Sequence, residues 1–376
     1  MLNRRLIRIR AMQALFAYKQ AEGANFQLGM DLIAETFAPD LNSMEYQDRE
    51  KLEGYKKLSQ QIFTEIISKT AKKDDFEPPR EVKNAVDKAR DMYLMRNRKD
   101  AEHYANRSIA EAEKVYDLYL LILALYIEVA DRAKLDDTDS KLVDNQVVKA
   151  IRHDRNFELQ QIRRNANWKN DQVLIAKFYR EAVKNNPYYT EYCSKKNHTL
   201  DEDVSILKYL LKNVILKHEI TMEYFDRENM YLVDDIETLR AMVTHTIQSI
   251  VETGKIKVEL LEEDWEQSKE FLQTLYRKTI YDNNELEDYL IPKLKNWDYE
   301  RIAIMDKILM MMGLTELINF PSIPIKVTIN EIIEIAKDYS TPKSGQFING
   351  VLDSLSKELK EKGIIRKTGR GMLDNK

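Results

Sequence analysis

Residues 324–353 read PIKVTINEIIEIAKDYSTPKSGQFINGVLD, and the choice between strand and helix here decides the fold. Ile323, Ile325, Val327 and Ile329 alternate, which taken alone describes a short strand. Ile325, Ile329, Ile332, Ile333 and Ala336 also share one side of a helix, and Pro324 suits a first turn, where a missing N–H costs nothing. The longer stripe predicts a helix. Thr341 followed by Pro342 then reads as the N-cap and first turn of a second helix. Ile348, Val351, Leu352, Leu355 and Leu359 form its apolar stripe, and Lys343, Phe347 and Gly350 run along the margin of that stripe.

The rest of the 376-residue chain agrees with a helical reading. Gly and Pro number only 10 and 8; no glycine lies between Gly54 and Gly254, and neither breaker occurs between Pro79 and Pro187. Sheets of that extent need turn residues, whereas long helices do without them. The class is all-α. Hydrophobic content of 43% is enough for a sizeable core in two or three domains.

The net charge of −4 gives no overall attraction to nucleic acid or anionic membrane, so a nucleic-acid surface has to be local. Arg4, Arg5, Arg8, Arg10 and Lys19 lie in the first 21 residues with no acid among them, and the last residues are again basic. The single cysteine, Cys193, excludes an intramolecular disulfide framework and a multi-cysteine zinc site. The longest apolar run, Leu118–Ile127, is too short to span a bilayer, which takes about 20 residues. A cytosolic protein without membrane association is expected.

Residues 3–21 read as an amphipathic helix with Ile7, Ala11, Ala14, Leu15 and Tyr18 on one stripe. Arg4, Arg5 and Arg8 cluster on a neighbouring face. Further helices are expected over 80–134 (one or two), 141–165, 168–185, 201–220 and 231–252, with no internal repeat of fixed period. Asp136, Asp137 and Asp139 lack the glycine and terminal Glu of a calcium loop and read as capping acids. Phe271, Leu272, Leu275, Tyr276 and Thr279 describe one helix face; 300–317 forms another helix, with Ile304, Ile308, Met311, Met312 and Thr315 spaced to pack.

No catalytic constellation emerges, and neither a metal site nor a cofactor is expected. None of the five histidines forms a His-x-x-x-His or His-Glu-x-x-His pair, and no phosphate-binding glycine loop occurs. The acids Glu262, Glu263, Asp264 and Glu266 read as a solvated helix start. What remains is a binding surface. A lysine beside an aromatic face, as at Lys343 and Phe347, suits single-stranded RNA; Phe347 as a core-edge residue is the competing structural reading.

Three stretches resemble one family. RRLIRIRAMQALFAY (4–18), DKILMMMGLTEL (306–317) and the 324–353 segment are similar to the signatures of the NusB family. Arg5, Arg8, Ala11, Gln13, Ala14, Leu15 and Phe16 match the family's first helix, and for that reason the Arg-rich start is read as a folded helix rather than an organellar transit peptide. The resemblance implies a NusB-like helical bundle built from 1–24 and 256–366, a large inserted helical region at 25–255 and a basic tail at 367–376. It also implies a non-enzymatic antitermination factor that pairs with a small-subunit ribosomal protein (NusE) on boxA-containing RNA of rRNA leaders, within the RNA polymerase antitermination complex. By that resemblance Arg4, Arg5, Arg8, Gln13, Phe16, Lys343, Ser344, Gln346 and Phe347 are expected at RNA, and Glu316, Asn330, Met311 and Thr315 at the protein partner. Met311 and Thr315 depart from the family's Arg and Tyr. Two alternatives are a helical protein-interaction adaptor without RNA contact and the RNA-binding part of an rRNA methyltransferase system.

Overall fold

In a computed structural model the described residues are 4–42, 44, 46–68, 70, 77–136, 141–261, 264–294 and 299–375. Among them fifteen α-helices and several short 3-10 and π turns form, with no β-strand. The helices are α1 (Arg4–Thr36), α2 (Arg49–Ile67), α3 (Arg80–Asp136), α4 (Gln146–Arg152), α5 (Arg155–Arg164), α6 (Gln172–Phe178), α7 (Pro187–Ser194) and α8 (Leu200–Leu210). They continue with α9 (Glu219–Glu228), α10 (Leu232–Thr253), α11 (Trp265–Tyr281), α12 (Asn283–Leu290), α13 (Ile304–Asn319), α14 (Ile325–Tyr339) and α15 (Ser344–Glu361). The capping acids Asp137 and Asp139, together with Glu262 and Glu263, lie outside the described residues.

Two compact units arise, and their boundaries fall inside helices. One comprises Met1–Ile7 and Ile109–Lys269; the other comprises Arg8–Ser108 and Glu270–Lys376. The segment 25–255 is thus divided: its part up to Ser108 shares a unit with α12–α15.

In the first unit, the second half of α3 is the central element. Leu118, Tyr119, Leu120, Ile122, Leu123 and Leu125 are all buried there. Two polar groups there bond to backbone: Tyr126 Oη donates to the Leu207 carbonyl at 2.9 Å, and Trp168 Nε1 donates to the Leu121 carbonyl at 2.9 Å. The expected single stretch 141–165 breaks into a 3-10 turn, α4 and α5 because Asn145 and Asp154 accept backbone N–H groups and start new helices. Asp154, Asn186 and His218 cap the starts of α5, α7 and α9 at equal intervals along the chain. π turns at Tyr179–Val183 and Leu211–Ile215 precede the last two. This recurrence was invisible in the sequence because three different residue types perform the capping.

In the second unit, α1 runs 33 residues, well past the expected end near residue 21. Gly29 does not break it. A Cβ there would come within 2.5 Å of Phe63 Cζ, so the glycine lets the Phe63 ring lie against the helix backbone. Ile33, Phe37, Phe63, Val82, Val86 and Tyr93 form the cluster that joins the second half of α1 to α2 and the start of α3. The array α13–α14–α15 packs around Gly313, where a Cβ would lie 2.9 Å from Leu352 Cδ1. Ile332, Ile335, Ile348, Leu352 and Leu355 are buried between these helices. α13 begins at Ile304, after a 3-10 turn at Tyr299–Arg301, rather than at Glu300, and Ile304 itself is exposed rather than packed. The basic tail is a folded element: Thr368 N–H donates to the Pro321 carbonyl at 2.9 Å, Lys367 Nζ donates to the Phe320 carbonyl at 3.0 Å, and Gly369–Asn375 form a 3-10 helix.

Candidate nucleic-acid interface

The first turns of α1 present their apolar stripe inward, with Ile7, Ala11, Leu15 and Tyr18 buried. The arginines do not behave alike. Arg5 is exposed; Arg4 is partly exposed and donates to Gln267 Oε1 at 2.6 Å. Arg8 is only 2% exposed. Its Nε and Nη2 donate to the two carboxylate oxygens of Glu316, each at 2.7 Å, and Thr328 Oγ1 donates to Glu316 Oε1 at 2.7 Å. Its guanidinium also lies 5.4 Å from the centre of the Phe271 ring, and Glu331 reaches it at 4.0 Å. A two-pronged ion pair with every carboxylate oxygen engaged is how a buried charge pair is tolerated.

This corrects two expectations. Arg8, expected at RNA, and Glu316, expected at a protein partner, are each other's partner inside the unit. The physical reason is burial: neither side chain has the exposure to meet a ligand. Arg10, also buried, donates from Nη1 to Gln13 Oε1 at 2.8 Å, so the amide oxygen expected at RNA is already accepting a bond. Phe16 is partly exposed.

The start of α15 is held by a knot of hydroxyls. Asp306 on α13 accepts from Ser340 Oγ at 2.5 Å and from Ser344 Oγ at 2.8 Å, and Thr341 Oγ1 lies 2.8 Å from Ser344 Oγ. Thr341 is therefore not the helix N-cap; α15 starts at Ser344, and the Thr341 hydroxyl is taken by the serine side chain. Ser344 is buried and anchors the turn, rather than standing at the surface as expected for an RNA contact. Around this knot Lys343 and Gln346 are exposed and Phe347 is partly exposed. Gly350 faces open space and permits no close packing, whereas Gly313, which the sequence reading passed over, does.

The expected partner residues split the same way. Met311 and Thr315 are buried, and Thr315 Oγ1 donates to the Met311 carbonyl at 2.9 Å and accepts from Thr279 Oγ1 at 3.0 Å. These two residues shape packing from within. Asn330 is exposed on α14. Among the described residues no three His, Cys, Asp or Glu side chains gather as a metal site, and no helix is long and apolar enough to cross a membrane.

The sequence profile of the NusB family matches residues 236–357. The chain is 42% identical over 106 residues to the transcription antitermination protein NusB of Salinibacter ruber, covering 28% of this chain and 66% of the relative. It is 40% identical over 107 residues to that of Chloroherpeton thalassium, covering 28% and 51%, and 37% identical over 93 residues to that of Methylacidiphilum infernorum, covering 25% and 65%. The matched stretches thus span between about half and just under two thirds of these relatives. No solved structure matches the chain.

Proposed function

With residues 236–357 forming a domain of the NusB family, we propose that this chain is a transcription antitermination factor that binds RNA. The observation that carries this reading is the Asp306–Ser340–Ser344 knot, which fixes the start of α15 and holds Lys343, Gln346 and Phe347 outside the core. A fixed lysine for phosphate beside an aromatic edge for a base is the pairing single-stranded RNA recognition uses. The relatives' names support antitermination as the process.

In its finer form the proposal is that the chain pairs with the small-subunit ribosomal protein NusE on boxA-containing RNA of rRNA leaders, as a non-catalytic member of the RNA polymerase antitermination complex in the cytosol. With Met311, Thr315 and Glu316 buried, the partner contact draws on exposed residues such as Asn330. Fluorescence anisotropy of a labelled boxA RNA, with and without the ribosomal protein, tests this. The expected result is boxA binding over a scrambled RNA that tightens when the partner is added. Equal affinity for both RNAs under both conditions would refute it, and partner binding without any RNA binding would leave the chain an adaptor.

A further inference from the structure

An open groove of about 1300 Å³ lies within the second unit, lined in the main by α1, α3, α12 and α13. Five aromatic side chains are in its lining, and they are not equally available. Tyr18 and Tyr93 are buried, and Phe26 is stacked on Phe63 with ring centres 5.3 Å apart. Tyr281 is 56% exposed, and Tyr299 is partly exposed. Both of these rings are held by their hydroxyls. Tyr281 Oη donates to Glu102 Oε1 at 3.0 Å, and Tyr299 Oη donates to Glu287 Oε1 at 3.4 Å.

The cations of the groove divide in the same way. Lys19 is paired with Glu22 at 2.8 Å, and Arg90 lies 3.4 Å from Asp87 and 3.3 Å from Asp91. Arg98 and Lys307 form no ion pair with a carboxylate among the described residues. Glu102, one turn on from Arg98, is instead taken by Arg277 at 2.8 Å. Arg98 is exposed and within electrostatic reach of Tyr281, and Lys307 Nζ lies 4.4 Å from the centre of the Tyr299 ring. Each available ring thus has an available cation beside it, which is the pairing that Lys343 and Phe347 present at the start of α15. The first turn of α13 connects the two places: Lys307 lines the groove, and the preceding Asp306 holds Ser344 at 2.8 Å.

We propose that this groove is a second RNA subsite, which takes the single strand continuing from the segment held at Lys343 and Phe347, with bases on Tyr281 and Tyr299 and phosphates at Arg98 and Lys307. The proposal rests on the RNA reading above and extends it to a surface built with α3. Stacking faces beside backbone-tracking cations are what sequence-tolerant single-strand binding uses. RNA employs both members of each pair, the ring through a base and the cation through a phosphate, whereas an apolar peptide would employ the rings alone.

The test is fluorescence anisotropy on the full chain with a labelled boxA RNA and with the same RNA lengthened by a uridine run at one end or the other. The expected result is tighter binding of one of the lengthened RNAs. Tyr281→Ala and Arg98→Ala should each weaken that longer RNA about fivefold or more and leave the short one unchanged. Tyr281→Phe keeps the ring and should bind as wild type does. Arg98→Ala should also flatten the salt dependence by about 0.7 for the longer RNA alone, the contribution of one phosphate. Phe347→Ala, in contrast, should weaken short and long RNA together. Equal wild-type affinity for short and lengthened RNA would overturn the proposal and leave the RNA reading standing. Loss of short and long RNA alike in Tyr281→Ala would also overturn it, as would an effect of Tyr281→Ala confined to affinity for the ribosomal protein, since the occupant would then be a protein. Absence of binding to every RNA would refute the RNA reading and this subsite with it.

Discussion

Removal of one member of the Arg8–Glu316 pair should cost far more stability than RNA affinity. Both side chains are buried, and the carboxylate accepts two guanidinium bonds and one from Thr328. Truncating one member of such a pair leaves a buried charge without compensation and costs about 3–5 kcal/mol. For a unit of this size 1 kcal/mol lowers Tm by about 2–4 °C, so Arg8→Ala or Glu316→Ala should lower the unit's melting temperature by about 6–20 °C. Replacing both, as Arg8→Met with Glu316→Leu, removes both charges together and should recover most of that loss. Calorimetry on the three variants reads this directly. A parallel salt titration of RNA binding should show an unchanged slope for the fraction of Arg8→Ala that is folded. If Arg8→Ala melts like wild type while its RNA affinity and salt slope fall, the pair is not what holds α1 to the α13–α14 helices, and the arginine belongs to the RNA surface after all.

Three further outcomes follow from the same geometry. Arg5→Ala, which removes an exposed cation, should flatten the dependence of log affinity on log salt by about 0.7, the contribution of one phosphate on a single strand; an unchanged slope would take α1 out of the RNA site. Phe347→Ala should lower RNA affinity by about 1–3 kcal/mol with little change in melting temperature if the ring is a stacking platform, whereas a fall in melting temperature with RNA binding intact would assign it to the core edge. Hydrogen bonds from Lys293 and Lys362 hold the Glu358 carboxyl down at about 2, below its ordinary 4.5. A depressed carboxyl stabilises the fold above its unfolded pKa and loses that contribution as pH falls through the folded value. The stability difference between wild type and Glu358→Gln should therefore be full near neutrality and vanish by about pH 2, and a difference that does not vary with pH would refute the contact.

Helical class and the stripes of α14 and α15 were legible because they depend on local spacing: Ile329, Ile332, Ile348 and Leu352 are buried where the period puts them. The length of α1 was not, since Ile33 in its second half and Phe37 just past its end find their apolar partners only on α2 and α3. The fate of Arg8 was hidden for a related reason. Three arginines on one helix face look solvated, and the carboxylate that claims one of them is 308 residues away. Ser344 looked like a surface contact because the Asp306 that buries it is on another helix. In each case the local pattern described an element correctly, and a distant side chain then decided what one of its residues does.

The same separation governs how the protein is made. α1 is translated before the other described helices, carrying the apolar stripe of Ile7, Leu15 and Tyr18, yet the carboxylate that neutralises its buried arginine comes 308 residues later. At synthesis rates of about 5–20 residues per second, that is an interval of about 15–60 s in which the arginine has no final partner, although α2 and the start of α3 reach the second half of α1 sooner. Residues up to Lys269 supply everything the other compact unit needs, so that unit can close while Arg8 still waits. The first turns of α1 therefore stay open to aggregation and to chaperone capture until α13 is translated.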